Sequence, residues 1–366
     1  MSTTPAATRM TSRLTALRWH RPLLWLAAAM VVLAVFALVA RFVDPREITG
    51  LNPWDKPLKF ALSTLIYAVT WSWLIGQLDH GRRVARIVGD VIAITLVIEI
   101  AIIAGAAAAG VTSHFNVSTP VATVLWGTMA VSITVLWVAT FVVAALLFRN
   151  PLGDRARTLA IRAGAVISLL GLGLGFLMTS PTSAQLGDFQ GVAGAHTVGL
   201  ADGGPGLPIL GWSTVAGDLR IPHFVGMHAL QTIPIVLILL ELASRRVALL
   251  GDVLVRTRLV AIAAAGYLAA VVLVTVQALR GQSIVRADVP TVVAAALVAI
   301  AVVVSVSVVV ARAGRRVTDR ERVSAAGQDV GQNDAGQRDA GHNDAGQRDA
   351  GQRDAGQRDA GQRIVG

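Results

Sequence analysis

The chain has no cysteine, only two tyrosines, and charged side chains at just 15% of its 366 positions. Without thiols there is no disulfide framework, no thiolate metal centre and no covalent c-type haem attachment, and the redox compartment leaves no mark. So little charge, set against 54% hydrophobic residues, cannot cover a water-soluble domain of this length. Lysine is nearly missing as well: two of the 32 basic residues are lysine, and both fall in Asn52-Pro53-Trp54-Asp55-Lys56-Pro57-Leu58-Lys59. The formal charge of +10 comes from basic residues scattered over short connections rather than gathered on one soluble domain, which argues for no nucleic-acid partner and makes anionic membrane lipids the expected counter-charge.

What is present is a series of eight long apolar runs, at residues 22–43, 58–78, 84–108, 120–148, 158–179, 221–243, 258–279 and 289–311. About 20 apolar residues rising about 1.5 Å each match the roughly 30 Å hydrocarbon core of a bilayer, where only helices or closed barrels satisfy their own backbone. The expected fold class is all-α, a polytopic bundle of eight transmembrane helices. The connections alternate in charge: 18 Lys and Arg lie before the odd-numbered runs and directly after the last, against 7 in the other connections. The positive-inside rule then places both termini in the cytoplasm of a multi-pass plasma-membrane protein. The first run exceeds the 7–15 apolar residues of a signal peptide and lacks a small-residue cleavage site, so a retained anchor is expected.

Three regions follow: a cytoplasmic N-terminal segment (1–21), an eight-helix transmembrane domain (22–316) and a tail (317–366) of GQRDA-like five-residue units. The tail has no apolar face, so ordering it recovers too little burial and disorder is expected. His342 belongs to this tail. The second and sixth runs both open with an acid, a base and a proline, Asp55-Lys56-Pro57 and Asp218-Leu219-Arg220-Ile221-Pro222, a weak echo of a parallel four-plus-four duplication.

Polar residues inside the apolar runs are the candidates for function. Glu99, in Val97-Ile98-Glu99-Ile100, lies nine residues from Ala108, roughly 14 Å deep at the helical rise. An acid there costs about 2.5–3.5 kcal/mol on insertion scales unless it is protonated, paired or wetted. The sixth run supplies His223 at its mouth, His228 deeper, and Gln231 on the same face as His228. Asp55 is placed to cap the second helix and Lys59 to meet lipid phosphate or an acid. The connection between the third and fourth runs offers His114. The connection of about 40 residues between the fifth and sixth offers His196, Asp218 and Arg220, and its length and apolar content predict an ordered lid over 180–220.

The expected ligand-binding set is Lys59, Glu99, His114, His196, Asp218, Arg220, His223, His228 and Gln231, all on the extracytoplasmic half. Three functions fit it. One is a binding or transport-like protein whose outward cavity holds a small polar ligand or lipid headgroup, with Glu99 and His228 exchanging protons. The second is a redox protein holding b-type haem or a metal between histidines such as His114 and His228. The third is a lipid-modifying enzyme with a histidine base and Glu99 or Asp218 beside it. The sequence specifies no cofactor, catalytic residue or oligomeric state.

Overall fold

The computed structural model describes residues 18–316, so the expectations for the N-terminal segment before residue 18 and for the pentapeptide tail lie outside the described residues. The chain divides into two units, Met1–Ser307, which holds the bundle, and Val308–Gly366, whose described part is the end of the last helix. The fold is an all-α bundle of a multi-pass integral membrane protein. Helices α1 (Arg21–Val43), α2 (Asp55–Gly76), α3 (Arg82–Ala109), α4 (Pro120–Phe148) and α5 (Arg155–Leu174) follow in order. A short α6 (Ser183–Gly187) and a two-stranded antiparallel ribbon, β1 (Thr197–Val198) with β2 (Gly217–Asp218), interrupt them. Helices α7 (Arg220–Met227), α8 (Ala229–Ala243), α9 (Val253–Leu279) and α10 (Val289–Arg316) complete the series. Seven helices are long and apolar enough to cross a membrane, or eight when the bent α7–α8 pair counts as one span.

Local chemistry sets the boundaries. Thr119, Asp154, Asp252 and Asp288 each accept a hydrogen bond from a backbone N–H of the first turn of α4, α5, α9 and α10, satisfying donors that a helix start leaves open. His20 does the same for α1 through Nδ1, with Pro22 in the first turn, where a missing N–H costs nothing. Helix α3 stops at Gly110, whose φ of 72° is the left-handed conformation that ends helices, and Arg46 reaches across to the Ala108 carbonyl.

Two clusters form the interior of the bundle. The first joins α1 to α5 around Leu23, Trp71, Leu74 and Ile75; the second joins α5, α8 and α9 around Ala160, Ile233 and Val260. Helix α5 belongs to both and meets α7 and α8 through glycines. A Cβ on Gly171 would stand 2.2 Å from the backbone of Gly226, so only glycine permits this crossing. Elsewhere the helices turn Val, Leu, Ile and Phe outward, as a lipid-facing surface requires.

The sixth run is not the single straight helix its composition suggests. It bends by 45° at His228, between α7 and α8. A break in hydrocarbon frees carbonyls that need donors, and neighbouring helices supply them. Ser168 of α5 donates to Met227 O at 2.7 Å, and Tyr267 of α9 donates to Val225 O at 2.6 Å. Pro234, one turn into α8, removes a further backbone donor.

Candidate functional site: an acceptor-lined cavity under a histidine cluster

Helix α2 carries one polar stripe. Lys56, Phe60, Ser63, Thr64 and Tyr67 recur at helical spacing, so they share a face. Phe60, Ser63, Thr64 and Tyr67 line a cavity of about 70 Å³ together with Glu99 of α3, His223 and Phe224 of α7, and apolar side chains of α3, α4, α5 and α7. One buried water needs about 10–15 Å³ of such space, and a cavity that takes up benzene measures about 150 Å³. The space fits a few waters or a polar group of a few heavy atoms, and a haem ring far exceeds it.

Glu99 is 6% exposed, and its Oε2 has no hydrogen-bond partner among the described residues. The carboxyl faces the cavity and is turned away from the lipid. Lys56 is the cation acting on it. His223 is fixed from behind: its Nδ1 lies 2.8 Å from the Gly171 carbonyl, and Gly175 leaves room for the ring. A carbonyl only accepts, so Nδ1 carries the hydrogen and the neutral ring keeps its lone pair on Nε2.

No hydrogen bond joins Glu99 to His228 or Gln231 among the described residues, and neither of these two lines the cavity. The break at His228 turns that ring toward α2, where Nε2 lies 3.2 Å from Ser63 Oγ and Nδ1 lies 3.3 Å from Gln231 Oε1. Gln231 donates in turn to Thr70 Oγ1 at 3.3 Å, and Thr70 to the Ile66 carbonyl at 2.6 Å. Each amide or carbonyl oxygen in this chain accepts, so its polarity is fixed: Ser63 spends its hydrogen on His228 and shows the cavity only lone pairs. Ser63 therefore joins the cavity to the His228 chain.

Above the cavity lies the histidine cluster of the two connections. Lys56 Nζ donates to His114 Nδ1 at 3.0 Å, and Ser113 Oγ lies 3.1 Å from the same nitrogen. The His114 ring packs on Trp126 and on His196, with centroids 5.5 and 6.4 Å away. His196 Nδ1 donates to Asp202 Oδ2 at 2.6 Å, and Asp202 also accepts from the backbone N–H of His196 and Thr197. Burial would raise the Asp202 carboxyl, but these bonds outweigh it and hold the acid below its ordinary value. Burial pushes the His114 imidazole well below its usual range, with Lys56 next in effect. Burial lowers His196 too, against the pull of Asp202.

The other expected site residues build the fold around this centre. Lys59 donates to the Leu210 carbonyl of the long connection at 2.7 Å, where an acid or lipid phosphate was expected. Asp218 is 1% exposed and pairs with Arg220 at 2.6 Å while accepting from Ser213 N at 2.8 Å, so the pair pins residues 211–213 to the start of α7. Asp55 does not cap α2; it is the first helical residue, buried against Arg41 of α1, and Asn52 Oδ1 accepts the Trp54 N–H instead.

Lys56, Asp202 and Ser63 are additions to the expected set. The stripe Lys56-Phe60-Ser63-Tyr67 was visible as an α2 periodicity, whereas the reach of Asp202 to His196 depends on loop geometry that no spacing encodes. No group of three or more His, Asp or Glu placed to hold a metal occurs among the described residues. Comparison with protein-family descriptions, with curated protein sequences and with solved structures returns no match.

Proposed function

We propose that this integral membrane protein binds a small ligand, or the tip of a lipid headgroup, that presents hydrogen-bond donors: an ammonium or hydroxyl group on a few heavy atoms. The observation that carries the reading is that three of the cavity's polar groups present acceptors, while Tyr67 turns its hydroxyl to Thr140 and Thr64 can donate or accept. An ionised Glu99 offers only acceptors, His223 offers the Nε2 lone pair, and Ser63 has already committed its hydrogen to His228. A donor-bearing guest satisfies all three, and it supplies the partner that Glu99 Oε2 lacks. Phe60, Phe224 and Tyr67 line the same cavity and suit a cation. In this reading the site opens to the extracytoplasmic side of the plasma membrane, both termini are cytoplasmic, and the 180–220 connection is a lid. A parallel duplication rests on the two similar helix starts alone, because their acids take different kinds of partner, Asp55 the Arg41 of the preceding helix and Asp218 the Arg220 two residues on.

Ethanolamine, with one ammonium and one hydroxyl on a two-carbon chain, is the probe. Thermal unfolding of the purified full chain in detergent should shift upward with ethanolamine and not with acetate, because a ligand at about 100 times its Kd stabilises by about 2.7 kcal/mol. The shift should vanish in Glu99→Gln. No shift in the wild type, or an equal shift in the variant, would overturn the proposal.

A further inference from the structure

The histidine cluster above the cavity has a donor and acceptor order that the binding reading does not use. The Lys56 ammonium can only donate, so His114 accepts at Nδ1 and its neutral ring carries hydrogen on Nε2. Asp202 can only accept, so His196 carries hydrogen on Nδ1 and presents a lone pair on Nε2. The two rings lie 6.4 Å apart between centroids with no hydrogen bond between them, so transfer from one to the other requires a bridging water. Read from Lys56 to Asp202, every link donates in the same direction. Asp202 is partly exposed, with a quarter of its side chain open, while Lys56 acts on Glu99 at the cavity.

We propose that Lys56, His114, His196 and Asp202 form a proton-release arm that carries a proton from Lys56, on the α2 face that lines the cavity, to the surface of the long connection when a cation binds beside Glu99. The inference rests on the proposed binding of a donor-bearing cation. The step balances. An N–H bond of Lys56 breaks as His114 Nδ1 takes the proton; His114 Nε2 passes its own through water to His196 Nε2; His196 Nδ1 gives its proton to Asp202, which releases it to solvent. Lys56 ends as a neutral amine, both rings end in the opposite tautomer, and the ligand's positive charge replaces that of Lys56; the reverse transfer, from solvent through Asp202 to Lys56, restores every group when the ligand leaves. Lys56 also lies in the field of Arg220, Lys59 and Asp202, and His114 in that of His223, so two further cations oppose a second positive charge in this space. Low-lying imidazoles suit the role, since burial keeps His114 and His196 neutral and able to relay without storing charge.

The test mixes the full chain in detergent with ethanolamine in weakly buffered solution containing a pH-sensitive dye, with the thermal shift measured in parallel. The wild type should release close to one proton per ethanolamine bound, and Lys56→Met should release none. His196→Gln and Asp202→Asn should release the same amount at a rate lowered about tenfold or more, as expected when a proton carrier is removed. Asp202→Asn keeps a carbonyl oxygen for the Thr197 amide, so it covers the case in which His196→Gln fails to fold. A thermal shift without proton release, or release at the wild-type rate in both arm variants, overturns the arm and leaves the binding reading standing. Absence of the thermal shift itself removes the binding reading and the arm together.

Discussion

Asp55 and Glu99 are both acids buried in this bundle, at 2% and 6% exposure, yet they have opposite surroundings. Asp55 sits at the first residue of α2 with the Arg41 guanidinium on its carboxylate; Glu99 sits in the middle of α3 with an oxygen that nothing bonds. Asp218, which accepts from Arg220 and from the Ser213 N–H, belongs with Asp55. The contrast separates two uses of buried charge. Paired acids hold connections to helix ends and should be costly to remove, while an unpaired acid is a burden on the fold and is kept for what enters beside it.

The largest effect should come from breaking a pair. Asp55→Ala strands Arg41 and should lower the unfolding free energy by about 3 kcal/mol, the scale for removing one partner of a buried ion pair, read as a fall in thermal midpoint in detergent. Asp218→Ala should cost less, about 2 kcal/mol, because Arg220 retains the Gly211 carbonyl. Its signature should be local: limited proteolysis should cut between residues 200 and 215 where the wild type resists.

Acid should loosen the same connection. His114 and His196 are held below their ordinary value, so the unfolded chain binds more protons as soon as pH falls through about 6.5, and stability present above that pH is lost on the way down. Asp202, also held low, adds a second loss only at more acid pH, below its unfolded value of about 3.9. Protease sensitivity of the 180–220 connection should therefore begin to rise below about pH 6.5 and should rise less in His114→Gln.

The hydroxyls at the helix break should matter least. Ser168→Ala and Tyr267→Phe should each cost about 0.6 kcal/mol, the average for a side-chain hydrogen bond between membrane helices. A cost near zero for both would mean that the bend at His228 does not depend on these caps.

Much of this is legible in the sequence itself. Apolar runs separated by capping residues located the helices, because hydrocarbon thickness and open backbone donors leave few alternatives, and Glu99 stood out because nothing near it in sequence could compensate an acid. The bend at His228 was harder to read. Gly226 and Pro234 flank it in the sequence, but the break depends on hydroxyls that Ser168 and Tyr267 bring from other helices. That bend sent His228 to Ser63 and left His223, thought to lie only at the mouth, as the imidazole sharing a cavity with Glu99. Lys59 and Lys56 exchanged importance for a similar reason: three residues apart on α2, they diverge enough that one meets a loop carbonyl and the other a histidine.

The most direct measurement compares the thermal stability of Glu99→Leu with that of the wild type in the absence of ethanolamine. An acid kept for a guest should not be missed by the empty fold, so the leucine variant should be at least as stable as the wild type, by about 1 kcal/mol if the carboxyl now carries an uncompensated burial cost. A loss of about 2 kcal/mol or more would contradict this account, because it would mean that Glu99, like Asp55, holds the bundle together.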